Sequence, residues 1–384
     1  MPRGPVSGRG AAIQFVDAER GNMNIAVLAG DDIGPEIVAA ALAVVRAADA
    51  EFGLGLRFTE VEVGMASHRR HGTTLTEAAV QAVTEADAAI VGPCGMTEYP
   101  PLAEGGINIP GTLRKRLDLY ANLRPARSRA GLPDARHGLD ALIVRENTEG
   151  FYSDRTMFQG HGEFMPTADL ALSVRKITRQ GSERIAKVAF DYAARRSRRV
   201  TVVGKRHVLQ MSDGLFMAPA FELAKALPQI ALREMDIDAM AADLYTRPER
   251  HDVILISNMF GDILSNLAVA LSGGLGLAAA INAGDRHAIA NAGHGSAPDI
   301  AGKGIANPTG MILSAGMLLE WLGIRHQRPP FIQAWQAIQA AVDAVLADAN
   351  ARTLDLGGRG STQSFAEAVV RQLRGPRLQA GVAG

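Results

Sequence analysis

Three arginines stand in settings suited to gripping an anion: Arg114 in Leu-Arg-Lys, Arg124 in Asn-Leu-Arg-Pro, and Arg145 closing an apolar run. A guanidinium at a turn or strand end presents a planar fork that matches a carboxylate. Any one of them alone reads equally well as a surface arginine in an ordinary ion pair. Asp262 and Asn266 are four residues apart, which puts them on one face of a helix. With Asp238 they offer oxygen ligands that suit Mg2+ or Mn2+ better than zinc. Taken singly, Asp262 is first of all a helix cap. Tyr152 and Lys205 each leave a strand-like run, where a shifted pKa would make them an acid and a base. A packed loop tyrosine and a solvated lysine account for the same residues. His294-Gly-Ser-Ala-Pro-Asp299 could bring backbone amides up to a phosphate, and a plain turn explains it as well.

The elements that must position these residues alternate along the chain. Strands are expected at 25–28, 88–91, 141–144, 200–203 and 253–256. Helices are expected at 35–50, 172–195, 219–226, 263–271, 308–322, 331–347 and 364–373. That rhythm predicts an α/β protein with much parallel sheet. The 384 residues suffice for one large or two ordinary domains. The balance of 40 basic against 40 acidic residues argues against a nucleic-acid or anionic-membrane surface, so any anion site must be local. A single cysteine, Cys94, excludes an internal disulfide framework and points to a reducing cytoplasm. No apolar run is long enough to span a membrane.

In order along the chain, several stretches resemble the isocitrate/isopropylmalate dehydrogenase family of metal-dependent β-decarboxylating dehydrogenases. They are Gly30-Asp-Asp-Ile-Gly-Pro-Glu36, Leu113-Arg-Lys, Leu119-Tyr-Ala-Asn-Leu-Arg-Pro125 and Val144-Arg-Glu-Asn-Thr-Glu-Gly150. Asn258-Met-Phe-Gly-Asp-Ile-Leu-Ser265, His294 to Gly302, Gly304 to Thr309 and Asp355-Leu-Gly-Gly358 continue the match. The resemblance implies a two-domain α/β fold that is not the Rossmann dinucleotide fold. One domain would comprise 23–118 plus 273–373, with the cofactor. A central domain, 119–272, would carry the contacts of a homodimer with shared active sites. Residues 1–22 read as a disordered extension and 374–384 as a tail.

The resemblance also implies roles. Arg114, Arg124 and Arg145 would hold the carboxylates of a small hydroxy di- or tricarboxylate. Tyr152 would protonate the enol left after decarboxylation, and Lys205, from the partner subunit, would help deprotonate the 2-hydroxyl. Asp262 and the partner's Asp238 would bind Mg2+ or Mn2+. His294, Gly295, Ser296, Ala297, Asp299 and Asn307 would contact the adenosine side of the cofactor. A carboxylate at Asp299 favours NAD, because it repels a 2′-phosphate.

The chain departs from the family pattern at several points. Asp32 stands where Gly is usual, Asn266 where a second aspartate is usual, His207 in place of asparagine, and Asn291-Ala-Gly in place of Glu-Pro-Val. The loop 104–112 matches neither the isocitrate nor the isopropylmalate pattern. Homoisocitrate, tartrate and D-malate are therefore alternative substrates, and a non-catalytic regulatory subunit is a competing reading.

Overall fold

The computed structural model describes residues 21–152, 156–157, 159–160 and 162–375. Most of the extension expected at 1–22 and of the tail expected at 374–384 lies outside them. The chain begins β1 (Met23–Leu28), α1 (Gly34–Phe52), β2 (Leu56–Glu60), α2 (Gly64–His71), α3 (Glu77–Glu85), β3 (Ala88–Val91) and α4 (Ile109–Arg116). It continues through β4 (Ala121–Arg127), β5 (Asp140–Glu146), a hairpin of β6 (Glu163–Thr167) and β7 (Leu170–Ser173), and α5 (Arg179–Ala194). Next come β8 (Arg199–Gly204), α6 (Gln210–Ala226), β9 (Ala231–Asp236), α7 (Ile237–Thr246), β10 (Val253–Ile256) and α8 (Asn258–Leu271). The short strands β11 (Ile281–Ala283) and β12 (Ala288–Ala290) precede α9 (Thr309–Arg325), α10 (Pro329–Ala347) and α11 (Thr362–Leu373).

One ten-stranded sheet, ordered β2-β1-β3-β12-β11-β4-β5-β10-β8-β9, organises these elements. The first four strands are mutually parallel, and so are the last four. Between them, β12, β11, β4 and β5 pair antiparallel, which reverses the direction of one block relative to the other. The expected parallel sheet is thus two parallel blocks joined by antiparallel strands, an arrangement unlike the continuous parallel sheet of a Rossmann fold. Strands β2, β1, β3, β12 and β11 come from 23–118 and 273–373; the others come from 119–272.

Period-two alternation assigns each strand face its own layer. In the second block, Leu123, Leu142, Val144, Val202 and Leu255 pack with Ile185 and Phe190 of α5 and Phe216 of α6. Their neighbours Ala126, Ala141, Ile143, Val203 and Ile254 pack against Met240 of α7 and Leu264 of α8. In the first block, Ile25, Val27 and Ile90 face the layer of α1, α9 and α10, while Ala26, Leu28 and Val91 face α3 and α4.

The helix expected over 172–195 divides into two elements. Leu170–Ser173 is strand, and the helix starts only at Arg179, where the Thr178 side chain accepts the Gly181 amide and caps it. Between them Lys176 exchanges two backbone hydrogen bonds with Gly150. Among the described residues, no helix is long and apolar enough to cross a membrane.

A candidate active site of two half-sites

Reversal of the second block sends the carboxyl ends of β5, β10, β8 and β9 to one edge of the sheet. Ligand sites in α/β sheets form at such edges. Arg145 lies near the end of β5, Ser257 and Asn258 follow β10, Lys205 follows β8, and Asp236 ends β9. Strand β4 runs the other way, with Ala121 opposite Glu146, so its first residues reach the same edge.

Alternation along β4 and β5 turns Asn122, Arg124 and Arg145 towards α8, which presents Asn258, Asp262 and Ser265 at helical spacing. Arg145 donates to Asp262 at 2.6 Å, and to the Asn258 side chain at 2.7 Å. Arg124 reaches the same Asp262 oxygen at 3.2 Å, Ser265 Oγ at 2.9 Å and Asn122 Oδ1 at 2.7 Å. Two guanidiniums thus converge on one carboxylate. Gly261 keeps this approach open, since a Cβ there would lie 2.7 Å from the Arg145 side chain. Burial pushes the Arg124 guanidinium below its usual pKa, and Asp262 opposes that shift. The Tyr152 ring lies 5.9 Å from the Arg145 guanidinium carbon. Asp262 is not a cap: Ser257 holds the N-cap position, and Asp262 sits one turn inside α8.

Arg114, near the end of α4, joins Arg124 in a cavity of about 170 Å³ that also touches Cys94, Asn291, His294 and Gly295. The Asn108 side chain starts α4 by accepting the Gly111 amide. Buried amides brace the floor, with Asn122 and Asn147 both donating to Asn282 Oδ1 at 3.0 Å.

The expected cofactor segment adjoins this cavity. His294 Nδ1 lies 3.1 Å from the Gly295 carbonyl, and its Nε2 is buried without a hydrogen-bond partner among the described residues. Burial depresses the His294 pKa, so the ring is neutral near pH 7. A Cβ at Gly295 would meet open space. The Ser296 carbonyl accepts the Ile33 amide, Ala297 adopts φ +45°, Asp299 is exposed, and buried Asn307 donates to Asp355 at 2.9 Å. An orphaned ring nitrogen beside open backbone fits a bound dinucleotide.

Lys205 is elsewhere. Its ammonium lies 2.5 Å from Asp238 and 3.4 Å from Asp236, and His207 Nδ1 lies 3.0 Å from Asp236. The hydrogen bond to Asp238 raises the Lys205 pKa and lowers that of Asp238. Among the described residues, no group of three His, Cys, Asp or Glu side chains could hold a metal ion. Asp262 and Asn266 sit one turn apart, but the Asn266 amide is bonded to the Asp262 carbonyl. Asp238 pairs with Lys205, whereas Asp262 pairs with Arg124 and Arg145.

A sequence profile described as isocitrate/isopropylmalate dehydrogenase matches residues 24–369. The chain belongs to this family. It is 42% identical to the isocitrate/homoisocitrate dehydrogenase of Thermus thermophilus over 91% of this chain and 98% of that protein. It is 39% identical to the 3-isopropylmalate dehydrogenase of Methanothermobacter thermautotrophicus over 92% and 99%. The crystal structure of isocitrate dehydrogenase from Methylococcus capsulatus superposes with a TM-score of 0.79 at 39% identity, covering 92% of this chain and 99% of that one. Family members are dehydrogenases acting on hydroxy acids, and their fold is the one described above.

Sequence reasoning gave no role to several supports of the site: Asn122, Asn258, Ser265 and Asp236. Asn258, Asp262 and Ser265 do carry a helical-spacing signal. Asp236 lay hidden in a charged edge strand that does not look like one.

Proposed function

We propose that the protein catalyses NAD-dependent oxidative decarboxylation of a 3-substituted malate of the isopropylmalate or isocitrate type. It would work as a homodimer with Mg2+ or Mn2+. The observation that carries this reading is the convergence of Arg124, Arg145, Tyr152 and Asp262 beside a cavity shared by Arg114 and His294. The arginines fix the substrate carboxylates, so that C2 faces the nicotinamide and hydride transfer becomes effectively unimolecular. The partner's Lys205 helps deprotonate the 2-hydroxyl. Decarboxylation then leaves an enol, which Tyr152 protonates. A divalent cation, held by Asp262, Asn266 and the partner's Asp238, would stabilise charge on the substrate oxygen as a Lewis acid. His294, Gly295, Ser296, Ala297, Asp299 and Asn307 hold the cofactor, and the Asp299 carboxylate favours NAD over its 2′-phosphorylated form.

The dimer is supported by apolar side chains displayed where a single chain cannot bury them. Phe164, Met165, Leu170 and Leu172 on the hairpin are 43–63% exposed, and Ile263 on the helix of Asp262 is 64% exposed. Exposed apolar side chains of this kind favour an interface, and a second copy is the partner that would also bring Lys205 and Asp238 to the arginines. The relatives' names span isocitrate, homoisocitrate and isopropylmalate, in keeping with a reading that leaves the C3 substituent open.

NADH formation with isopropylmalate, isocitrate, homoisocitrate, tartrate and D-malate, each with Mg2+ and Mn2+, tests the proposal. Turnover of at least one is expected. NAD binding without turnover of any would replace this reading with that of a regulatory subunit, for which the altered Asn266, His207 and Asn291 speak.

A further inference from the structure

Strand β8 ends at Gly204, so the Lys205 amide is the first beyond that strand. It donates instead to Asp213 Oδ2 at 2.6 Å. Asp213, in the first turn of α6, is fully buried, and its other oxygen takes the Arg175 guanidinium at 2.6 Å. The approach requires glycine at 204, because a Cβ there would lie 2.9 Å from the same carboxylate and 2.7 Å from Met217.

The Arg175 side chain is only 9% exposed. It also donates to Ser212 at 2.7 Å and to Ser257, the N-cap of the helix carrying Asp262, at 3.3 Å. Its guanidinium lies 5.5 Å from the Phe260 ring. The next residue, Lys176, is paired through its backbone to Gly150, two residues before Tyr152. Thr178 donates to Glu149 through both its amide and its hydroxyl. The few residues that return from the exposed hairpin thus touch the supports of Lys205, Asp262 and Tyr152 together.

We infer that Arg175 is a positioning residue for Lys205, acting through Asp213 and the Lys205 backbone amide. The inference rests on the reading of Lys205 as the residue that helps deprotonate the 2-hydroxyl. A lysine amine ends a long flexible stem, so it is placed only as well as its own backbone. A displacement of about 1 Å in a reacting group can cost on the order of 100-fold in rate. Asp213 can hold that backbone as a buried carboxylate only while Arg175 pairs with it, since a lone buried charge is strongly disfavoured.

The experiment combines steady-state kinetics, on a hydroxy acid that the wild-type dimer turns over, with hydrogen exchange of the 204–209 segment. Arg175→Met should lower kcat about 10- to 100-fold and speed exchange of that segment about tenfold or more. The KM for NAD should stay within about twofold, because the cofactor segment lies in the other strand block. Arg175→Lys should recover part of the loss in kcat. Because the single variant leaves a buried carboxylate unpaired, the double variant R175M/D213L removes both charges. It should fold as the wild type does while showing the same exchange and kcat defects. Wild-type kcat in either variant overturns the inference, as does unchanged exchange at 204–209. A rise in the KM for NAD matching the fall in kcat overturns it too, since general loosening would then explain both. Should the wild type turn over no hydroxy acid, the functional reading fails separately, and exchange still reports whether Arg175 holds the Lys205 backbone.

Discussion

The two charged clusters at the sheet edge are built on opposite principles. Arg124 and Arg145 are 8% and 3% exposed, and they are held by Asn122, Asn258, Asp262 and Ser265. Lys205 and Asp238 pair on the surface, where the Asp238 side chain is 70% exposed and the neighbouring His207 side chain 61%. Exposed pairs of this kind contribute little to stability, whereas a buried guanidinium must be fully satisfied to be tolerated. The arginine cluster is therefore built into the fold of the single chain. The lysine cluster adds little to the stability of its own chain, as the proposed contribution to a second copy would have it. The proposed shared active site would account for both.

The largest effect that tests this contrast is on turnover. Lys205→Ala should lower kcat by about 100- to 10,000-fold with the dimer intact by sedimentation, and Tyr152→Phe should also be severely impaired. Each variant spoils a different half of one composite site. Co-expressing the two chains should therefore restore about a quarter of wild-type activity. Half of the randomly paired dimers are mixed, and each of those holds one intact site of two. Mixtures no more active than the separate variants would show that Lys205 serves its own chain, and the contrast would collapse.

A smaller effect concerns the metal. Asn266→Asp adds a carboxylate one turn from Asp262 on α8. It should tighten Mg2+ and Mn2+ binding about tenfold by calorimetry. Without metal, the same change should cost about 0.2–0.5 kcal/mol through repulsion at i,i+4. Unchanged metal affinity would move the cation away from α8.

The sequence made the core strands and the buried cluster legible for the same reason: both obey a period. Strands β3 and β10 are unbroken apolar runs and were bounded to the residue, while most of the long helices were found to within a turn or so. Strand β4 was not, because Asn122, Arg124 and Pro125 interrupt its apolar pattern, yet those polar residues are what turn it towards the site. Edge strands β2 and β9 are half polar since one side meets solvent, and the hairpin's apolar residues blended with the following helix into a single expected helix. A composite site is an expectation carried only by the family resemblance, because nothing in a single chain's spacing says that Lys205 and Arg145 belong together.

The smallest effect lies on the cofactor side, where the chain carries strain rather than incompleteness. Asp32 adopts φ +52° in the turn between β1 and α1, a left-handed conformation that disfavours a side chain by roughly 1 kcal/mol or more, less for Asp than for most. Its Oδ2 is buried with no hydrogen-bond partner among the described residues. Glycine would relieve both, against about 0.5–1 kcal/mol of added freedom in the unfolded chain. Asp32→Gly should therefore raise stability by about 1 kcal/mol, which thermal unfolding would register as an increase in Tm of about 2 °C. The next residue, Ile33, donates its amide to Ser296 in the cofactor segment, so the relaxed turn should leave the KM for NAD within about twofold. A stabilised variant that binds NAD tenfold more weakly would instead show that the strain holds the cofactor segment in place. The cofactor side would then be pre-organised by strain within one chain, in contrast to the arginine cluster, which the proposal completes from a second.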